Sequence, residues 1–382
     1  MREILEKHET NEEKEKIVIQ TVEELIDKNE YINLLNMLTQ LQENWKGLST
    51  ARLTKIIKKA FEMIKIDFNN YEGILLLING LIEWSGDRKL IKLDFECKLV
   101  FVYLTVGMYK ECQDKIKEIV PELKKFEDKI NLITLFIYES RAYYELRNTN
   151  MAKSSLTAAR AMAVSAACPL DLQAQIDLLN GMYLTDEKCY DTAVGYFVEA
   201  AEGFVMAKKP EEGILPLRYI ILCKILNKKL EEIEPIFKTK YASKILVEKD
   251  ELISILQNLA EIVKKKSIVL YKNLMAENAR VLEKDLFINK HLNFYYNSLL
   301  DQNILKIIEP YSHVKISFIA RQLGFDENLI EDKLRVMILD KSILGILDHK
   351  TQCLVLYDEV EEVESDLAKT VKILSEFLTK IK

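Results

Sequence analysis

Small residues recur at a nearly constant interval in the middle of the sequence, at Cys112, Ala152 and Ala193. Four positions after them lie Ile116, Leu156 and Phe197, and seven positions after them lie Ile119, Ala159 and Ala200. Nine positions before them lie Tyr103, Tyr143 and Leu184. Residues at i, i+4 and i+7 share one face of a helix, and a small residue lets a second helix cross closely. The pattern predicts stacked helical hairpins.

The period is longer than the usual tetratricopeptide repeat of about 34 residues, so the hairpins are a degenerate version of that type. Such hairpins cannot bury their apolar faces alone, and stacking them produces a right-handed solenoid with extended surfaces for partners. An irregular helical bundle is the alternative. The scarcity of helix breakers, 11 Gly and 6 Pro in 382 residues, favours a mainly α fold in either case.

A different pattern occupies residues 309–358 and predicts a winged helix. Val314 and Ile316 alternate with polar neighbours as in a short strand, and Ser317 is placed to cap a first helix. Asp326 is placed to cap a second helix. The apolar face of the first helix consists of Ile319, Ala320 and Leu323, and that of the second consists of Ile330, Leu334, Met337 and Ile338. Two apolar runs form a closing hairpin, Ile343 to Leu347 and Cys353 to Tyr357.

The charge of the second helix opposes nucleic-acid binding. Between Asp326 and Lys341 there are five acidic and three basic residues, whereas a helix in the major groove needs an excess of basic residues to neutralise phosphates. The net charge of −6 likewise gives no general affinity for nucleic acid or an anionic membrane. Protein contact is therefore expected, with the outer strand of the hairpin offering unpaired N–H and C=O groups to a neighbour's strand.

The last residues predict a helix that seeks partner helices. Its apolar positions step by four and three, as in a coiled-coil seam: Leu367, Val371, Leu374, Leu378 and Ile381. A free helix of about 20 residues is marginal in water, so a helical bundle with other chains is expected. Packing of this helix onto its own domain is the alternative.

The sequence contains none of the common catalytic or nucleotide-binding motifs. Its six cysteines form no C-x-x-C pair, and no two of its four histidines share a helix face. We therefore expect no enzyme activity, no cofactor and no metal. The charged segment Met1 to Lys16 does not resemble a signal peptide, and the longest apolar run, Gly73 to Trp84, is too short for a membrane span. A soluble intracellular protein without membrane contact is expected.

Four segments resemble PCI-domain proteins, the scaffold family shared by the proteasome lid, the photomorphogenesis signalosome and translation initiation factor 3. They are YFVEAAEGFVMAKK (Tyr196 to Lys209), YIILCKIL (Tyr219 to Leu226), HLNFYYNSLLDQNILKIIEPYSHVKISFIA (His291 to Ala320) and MILDKSILGILD (Met337 to Asp348). The resemblance is greatest to PCI subunits of the proteasome lid and covers roughly residues 130 to 360.

The resemblance implies a non-catalytic scaffold subunit of the proteasome lid, in the cytoplasm and nucleus, that supports ubiquitin-dependent protein degradation. Its implied partners are other PCI-domain lid subunits, a proteasome ATPase subunit and a core-particle α-ring subunit, with the last two meeting the helices before Trp84. It also implies that one strand pairs with a neighbouring PCI domain and that the C-terminal seam joins a helical bundle. The strand comprises Cys353, Leu354, Val355, Leu356 and Tyr357.

The implied organisation has three parts: a helical-repeat solenoid over residues 1–195, a PCI domain over 196–358 and a bundle-forming helix over 359–382. The PCI domain itself divides into a helical bundle (196–309) and the winged helix (310–358). Two other functions remain open at this point. The first is a PCI scaffold subunit of the signalosome (subunit 2) or of initiation factor 3. The second, more distant, is a winged-helix nucleic-acid-binding protein.

Overall fold

The computed structural model describes residues 11–44, 50–64, 70–245, 250–265, 267–348 and 350–357. The helices up to the end of the repeats are α1 (Asn11–Asp27), α2 (Tyr31–Asn44), α3 (Thr50–Met63), α4 (Tyr71–Ser85), α5 (Lys89–Val106), α6 (Tyr109–Lys125), α7 (Lys129–Glu145), α8 (Thr149–Ser165), α9 (Leu170–Asp186) and α10 (Tyr190–Met206). The remaining elements are α11 (Ile214–Leu226), a short 3-10 turn (Leu230–Glu232), α12 (Ile233–Phe237), α13 (Lys240–Ile245), α14 (Glu251–Lys265), α15 (Ile268–Glu277), α16 (Ala279–Leu282), α17 (Leu286–Ile308), β1 (His313–Lys315), α18 (Ile316–Leu323), α19 (Glu327–Leu339), β2 (Gly345–Asp348) and β3 (Cys353–Leu356).

The chain forms two compact units. The first comprises Met1–Cys223 with Pro235–Val247, and the second comprises Lys224–Glu234 with Glu248–Lys382. The division does not test the domain boundaries expected from the sequence, which stay predictions. Among the described residues, no helix combines the length and the apolar character that crossing a membrane requires.

The first unit contains the repeat that the spacing of small residues predicts. The second helices of three successive hairpins, α6, α8 and α10, begin at Tyr109, Thr149 and Tyr190, each three positions before a small residue of the repeat. Each hairpin packs its two helices together, and the first helices α5, α7 and α9 also contact one another in sequence. The residues that define the register are all buried: Cys112, Ala152, Ala193, Ile116, Leu156, Phe197, Ile119, Ala159 and Ala200.

The turn within each hairpin has the same construction. Gly107, Arg147 and Lys188 follow the first helices and adopt left-handed backbone angles, with φ of 88°, 61° and 65°. The next amide N–H then donates to the carbonyl of Tyr103, Tyr143 or Leu184 at 2.9 Å in each case, which is the 6→1 bond of a Schellman motif. The position nine before each small residue in the sequence repeat therefore supplies the carbonyl that ends each first helix.

Close packing acts both within a hairpin and between neighbouring hairpins. The buried hydroxyl of Ser140 on α7 donates to the carbonyl of Ala152 at 2.7 Å and lies 2.6 Å from the hydroxyl of Tyr183 on α9. Gly181 on α9 gives room to the fully buried ring of Phe197 on α10, because a Cβ at this glycine would lie 2.5 Å from the ring. The hydroxyl pair of Ser140 and Tyr183 thus joins neighbouring hairpins, and Gly181 lets the two helices of one hairpin approach closely.

The second unit contains the winged helix, whose elements follow the predicted order of strand, helix, turn, helix and hairpin. Its core is one apolar cluster consisting of Ile268, Leu300, Ile304, Ile308, Val314, Ile316, Ile319, Ala320, Leu323, Ile330, Leu334, Met337, Ile343 and Leu354. Gly324 ends α18 with φ of 71°, and Asp326 occupies the cap position of α19, as predicted, although its side chain makes no capping hydrogen bond.

The predicted cap of α18 is wrong by two residues. The helix begins at Ile316, with Lys315 in the cap position and without a side-chain cap, so Ser317 lies in the first turn. The N–H of Ile316 instead donates to the carbonyl of Gln352 at 3.0 Å. The strand therefore passes directly into the helix, and the sheet satisfies an N–H group at the helix start, where the sequence suggested a capping serine.

The predicted fold class is confirmed for the described residues: the chain is mainly α, with tetratricopeptide-like helical repeats ahead of a winged-helix domain. The predicted C-terminal helix lies outside the described residues.

Candidate protein-interaction site

The three strands of the winged helix form a sheet in the order β1, β3, β2. The last strand in sequence is therefore the central one. It pairs antiparallel with both neighbours, with Leu354 opposite Val314 on one side and Leu347 on the other. The two outer strands of the sheet are β1 and β2.

The hydrogen bonds show which way each backbone group points. The N–H of Tyr357 donates to the carbonyl of Leu344 beside β2 at 3.0 Å, and the N–H of Leu356 donates to the carbonyl of Ser312 beside β1 at 2.8 Å. Backbone groups of successive strand residues point to opposite sides. Residues along β3 therefore face β2 and β1 in turn, and the strand has no open side.

The structure corrects the predicted position of the outer strand. Cys353 to Tyr357 were expected to be that strand, but β3 lies between two others and its backbone groups already have partners. Leu354 is also fully buried in the core of the winged helix. Contact of these five residues with another protein remains a prediction, but it would have to be made by side chains such as the exposed Tyr357.

The outer side of the hairpin is formed by β2. Because Leu344 and Ile346 pair with β3 through their backbone, the alternation leaves the N–H and C=O groups of Gly345 and Leu347 pointing away from the sheet. The side chain of Ile346 is 60% exposed. Among the described residues β2 pairs with no strand other than β3, so its outer side is available to a partner strand.

Glycine is required at position 345 for a steric reason. A Cβ there would lie 2.7 Å from the carbonyl oxygen of Val355 on β3, closer than carbon and oxygen can approach without a shift of backbone. The glycine thus lets β2 lie flat against β3 while its own outward groups stay exposed. The sequence reasoning missed β2 as the outer strand, although GILD follows α19 as a short run with an apolar residue on each side of the strand.

The basic residues of α19 are engaged within the chain. Arg335 bonds to Glu331 at 2.6 Å and to Asp332 at 3.2 Å, and Lys333 pairs with Asp301 of α17 at 2.9 Å. Cations that are already neutralised contribute little to phosphate binding, which depends on the release of counterions from the nucleic acid. The two basic residues of α19 are thus already paired with carboxylates of the chain.

The exposed face of α19 carries large apolar side chains among its polar ones. Leu329, Val336 and Leu339 are exposed and lie opposite the buried face that carries Leu334 and Met337. In the sheet that follows this helix, Ile346 of β2 is exposed as well. Exposed apolar side chains together with an open strand are typical of a protein-binding surface.

The described residues contain no group of three or more His, Cys, Asp and Glu side chains arranged to hold a metal ion. Burial raises the pKa of the Cys97 and Cys112 thiols to about 12, so both are protonated at neutral pH and are poor nucleophiles. The predicted bundle seam of Leu367, Val371, Leu374, Leu378 and Ile381 lies outside the described residues.

Comparison with known proteins agrees with the winged-helix geometry. The PCI domain family matches residues 275–358. Over 339 residues, 88% of this chain and 80% of the relative, the sequence is 29% identical to the Schizosaccharomyces pombe protein named "Probable 26S proteasome regulatory subunit rpn6". It is 29% identical over 348 residues, 91% of this chain and 82% of the relative, to the Arabidopsis thaliana "26S proteasome non-ATPase regulatory subunit 11 homolog".

A third relative, the Saccharomyces cerevisiae "26S proteasome regulatory subunit RPN6", is 29% identical over 325 residues, 84% of this chain and 74% of the relative. Among solved structures, a crystal structure of Rap protein complexed with competence and sporulation factor overlaps with a TM-score of 0.47 and 12% identity. It covers 84% of this chain and 99% of the Rap chain, and so low a score supports no functional comparison. The chain thus contains a PCI domain and is a homologue of the 26S proteasome regulatory subunits named Rpn6 or non-ATPase regulatory subunit 11.

Proposed function

We propose that this chain is a non-catalytic scaffold subunit of the 26S proteasome lid, and that its winged helix joins neighbouring PCI subunits by strand pairing. The observation that carries the proposal is the open outer side of β2. It lies within the residues matched by the PCI domain, and the relatives matched over most of the chain are named proteasome regulatory subunits. The engaged cations of α19 favour a protein partner over nucleic acid.

The strand contact is proposed to form between β2 and the sheet of a neighbouring PCI subunit. The outward N–H and C=O groups of Gly345 and Leu347 would supply up to four backbone hydrogen bonds. Each is worth about 0.5–1.5 kcal/mol net. Burial of the exposed Ile346 side chain would add about 1–2 kcal/mol. A contact of this size is weak alone and effective when several subunits assemble together.

Two other contacts belong to the same proposal. The helices before Trp84 would meet a core-particle α-ring subunit and a proteasome ATPase, so that the chain links lid, base and core particle. The segment with the seam from Leu367 to Ile381 would enter a helical bundle with other lid subunits. In this role the protein supports ubiquitin-dependent degradation in the cytoplasm and nucleus.

The test is purification of the tagged full-length chain from cells of its own species, followed by mass spectrometry and a peptidase assay on the eluate. We expect PCI-domain subunits, ATPases and peptidase activity to be recovered together. Recovery of PCI subunits without peptidase activity would instead indicate the signalosome or initiation factor 3, and the proteasome assignment would be wrong.

Ile346→Asp tests the strand contact within this experiment. A carboxylate at the outer strand must lose its hydration when a partner strand packs beside it, so recovery of neighbouring PCI subunits should fall at least fivefold. Val269→Asp is the matched control, because Val269 is also β-branched and exposed but lies in the first turn of α15, where an acidic residue is favourable. Equal recovery with both variants would refute pairing through β2.

A further inference from the structure

Six consecutive helices of the first unit each place one large apolar side chain in solvent at the same end of the hairpins. The first helices α5, α7 and α9 contribute Leu90, Ile130 and Leu170 near their starts, and the second helices contribute Phe126, Val164 and Met206 at or just beyond their ends. Val164 is 90% exposed and the other five are 42% to 65% exposed. We name this set the turn row.

Polar contacts show that successive turns of this row are neighbours. The ammonium group of Lys129, at the start of α7, donates to the carbonyl of Ser165 at the end of α8 at 3.2 Å. Lys209, just after α10, pairs with Asp171 at the start of α9 at 3.0 Å. The first helices of the hairpins therefore begin, and the second helices end, at the same edge. Each of these two sets of helices supplies one line of exposed apolar side chains to that edge.

The regular spacing follows from the repeat. Leu90, Ile130 and Leu170 recur at the interval that separates the core positions Cys112 and Ala152 of successive hairpins. Packed helices lie about 8–10 Å apart, so the three hairpins extend the row over roughly 30 Å. A large exposed apolar residue on each of six successive helices is unlike the scattered single residues that are normal on a surface.

The charges around the row are of the opposite sign to those of the whole chain. Residues 86–90, 124–130, 164–171 and 206–212 contain seven basic and six acidic residues, whereas the chain as a whole has a net charge of −6. The carboxylate of Asp128 is occupied by the N–H and the amide of Asn131. Lys124 and Lys125, next to Phe126, are exposed and form no ion pair among the described residues.

We propose that the turn row binds an acidic amphipathic helix of another protein. Two lines of apolar side chains match the apolar stripe of such a helix, which shows three to four apolar residues in every two turns. Lys124 and Lys125 beside the row select glutamate and aspartate at the margins of that stripe and disfavour a basic helix. The surface is distinct from β2, and the proposal does not depend on the function proposed above.

A helix fits this edge better than a strand does. The turns expose side chains at their tips, and the backbone of the adjoining helices is hydrogen-bonded within each helix, so no continuous row of backbone groups is offered for strand pairing. A helix of about three heptads is roughly 30 Å long, which equals the estimated length of the row.

The experiment uses the full-length chain and a designed fluorescent peptide as the probe. The peptide is an amphipathic helix of three heptads, with Leu at the apolar positions, Glu at the flanking positions and Ala elsewhere. A matched peptide carries Lys in place of every Glu. We expect fluorescence anisotropy to show saturable binding of the acidic peptide, weakening with added salt, and at least tenfold weaker binding of the basic peptide.

Two sets of substitutions decide whether the binding is at the turn row. Ile130→Ser, Val164→Ser and Leu170→Ser together should weaken binding at least tenfold, because three apolar contacts are lost. Leu146→Ser with Met151→Ser is the control, since these residues are 42% and 45% exposed at the opposite end of the hairpins. All five positions are exposed, so circular dichroism should show unchanged helix content.

The result that supports the proposal is preference for the acidic peptide, lost in the triple variant and kept in the control. Failure of the acidic peptide to bind, equal binding of both peptides, or equal binding by the triple variant and the unsubstituted chain would each overturn it. Lys124→Glu with Lys125→Glu adds a test of sign: the preference for the acidic peptide should shrink at least fivefold, and an unchanged preference would exclude these lysines from the site.

Discussion

Two glycines in adjacent helices allow the packing of the repeats to be tested with the same substitution. Gly181 lies on α9 against Phe197, and a Cβ there would meet the ring atoms Cε1, Cδ1 and Cζ at 2.5, 2.7 and 2.9 Å. Gly195 lies on α10 and a Cβ there would meet nothing within 4 Å. Both positions are helical, so alanine brings the same gain in helix propensity, about 1 kcal/mol.

The two variants should change the free energy of unfolding in different directions. At Gly195 only the propensity acts, so Gly195→Ala should stabilise the chain by about 0.5–1 kcal/mol. At Gly181 the ring of Phe197 must move, although it is fully buried and packs edge-on against Tyr219 with 5.4 Å between centroids. Overpacking of this kind costs about 1–3 kcal/mol, so Gly181→Ala should be less stable than Gly195→Ala by that amount.

Urea denaturation followed by circular dichroism gives the comparison, and a double-mutant cycle with Phe197→Leu assigns the cause. In the Phe197→Leu background the ring is absent, so Gly181→Ala should become stabilising by about 0.5–1 kcal/mol. Equal destabilisation by Gly181→Ala in both backgrounds would refute the assigned contact. A Gly181→Ala chain as stable as the Gly195→Ala chain would refute the packing argument altogether.

Four further outcomes are expected. Ser140→Ala should lower the free energy of unfolding by about 1–3 kcal/mol in urea titrations, because it leaves the two buried polar partners of this hydroxyl without their hydrogen bonds to it. Lys188→Gly should raise it by about 0.5–1 kcal/mol, because the lysine occupies a left-handed conformation with φ of 65°. Under native alkylation at pH 8, mass spectrometry should find the exposed Cys189 labelled well before Cys97 and Cys112. Burial raises the folded-state pKa of these two thiols from 9.0 to about 12, so their contribution to stability should be constant below pH 9 and fall between pH 9 and 12.

The helical repeat was predictable because local pattern and packing agree there. Small residues at the crossings and apolar residues four and seven positions later both describe the same buried face, and Cys112, Ala152 and Ala193 are fully buried where the pattern placed them. The winged helix was predictable for the same reason. Its apolar stripes, of which Ile330 and Leu334 form part, coincide with the cluster that fills its core.

The order of the strands could not be predicted from the hairpin alone. A hairpin pattern shows that β2 and β3 pair, but it does not show which of them also receives β1, a contact between residues far apart in sequence such as Val314 and Leu354. The placement of Ser317 failed because the sheet supplies a hydrogen bond at the helix start. The turn row was missed because apolar residues at helix ends, such as Ile130, look the same in sequence whether they are buried or exposed.

The position of β3 in the middle of the sheet gives the winged helix a direction. Among the residues that the structure describes, the sides of β1 and β2 that face away from β3 pair with no further strand. These two strands differ in length and sequence, His313–Lys315 and Gly345–Asp348, so a neighbour on one side cannot be exchanged for a neighbour on the other. Units joined through unlike sides would form an ordered chain with a first and a last member, and such a chain continues to grow when the rotation between units does not close a ring. An excess of the free protein would therefore be at risk of adding copy to copy into fibres, and matched production of its partners would protect against this.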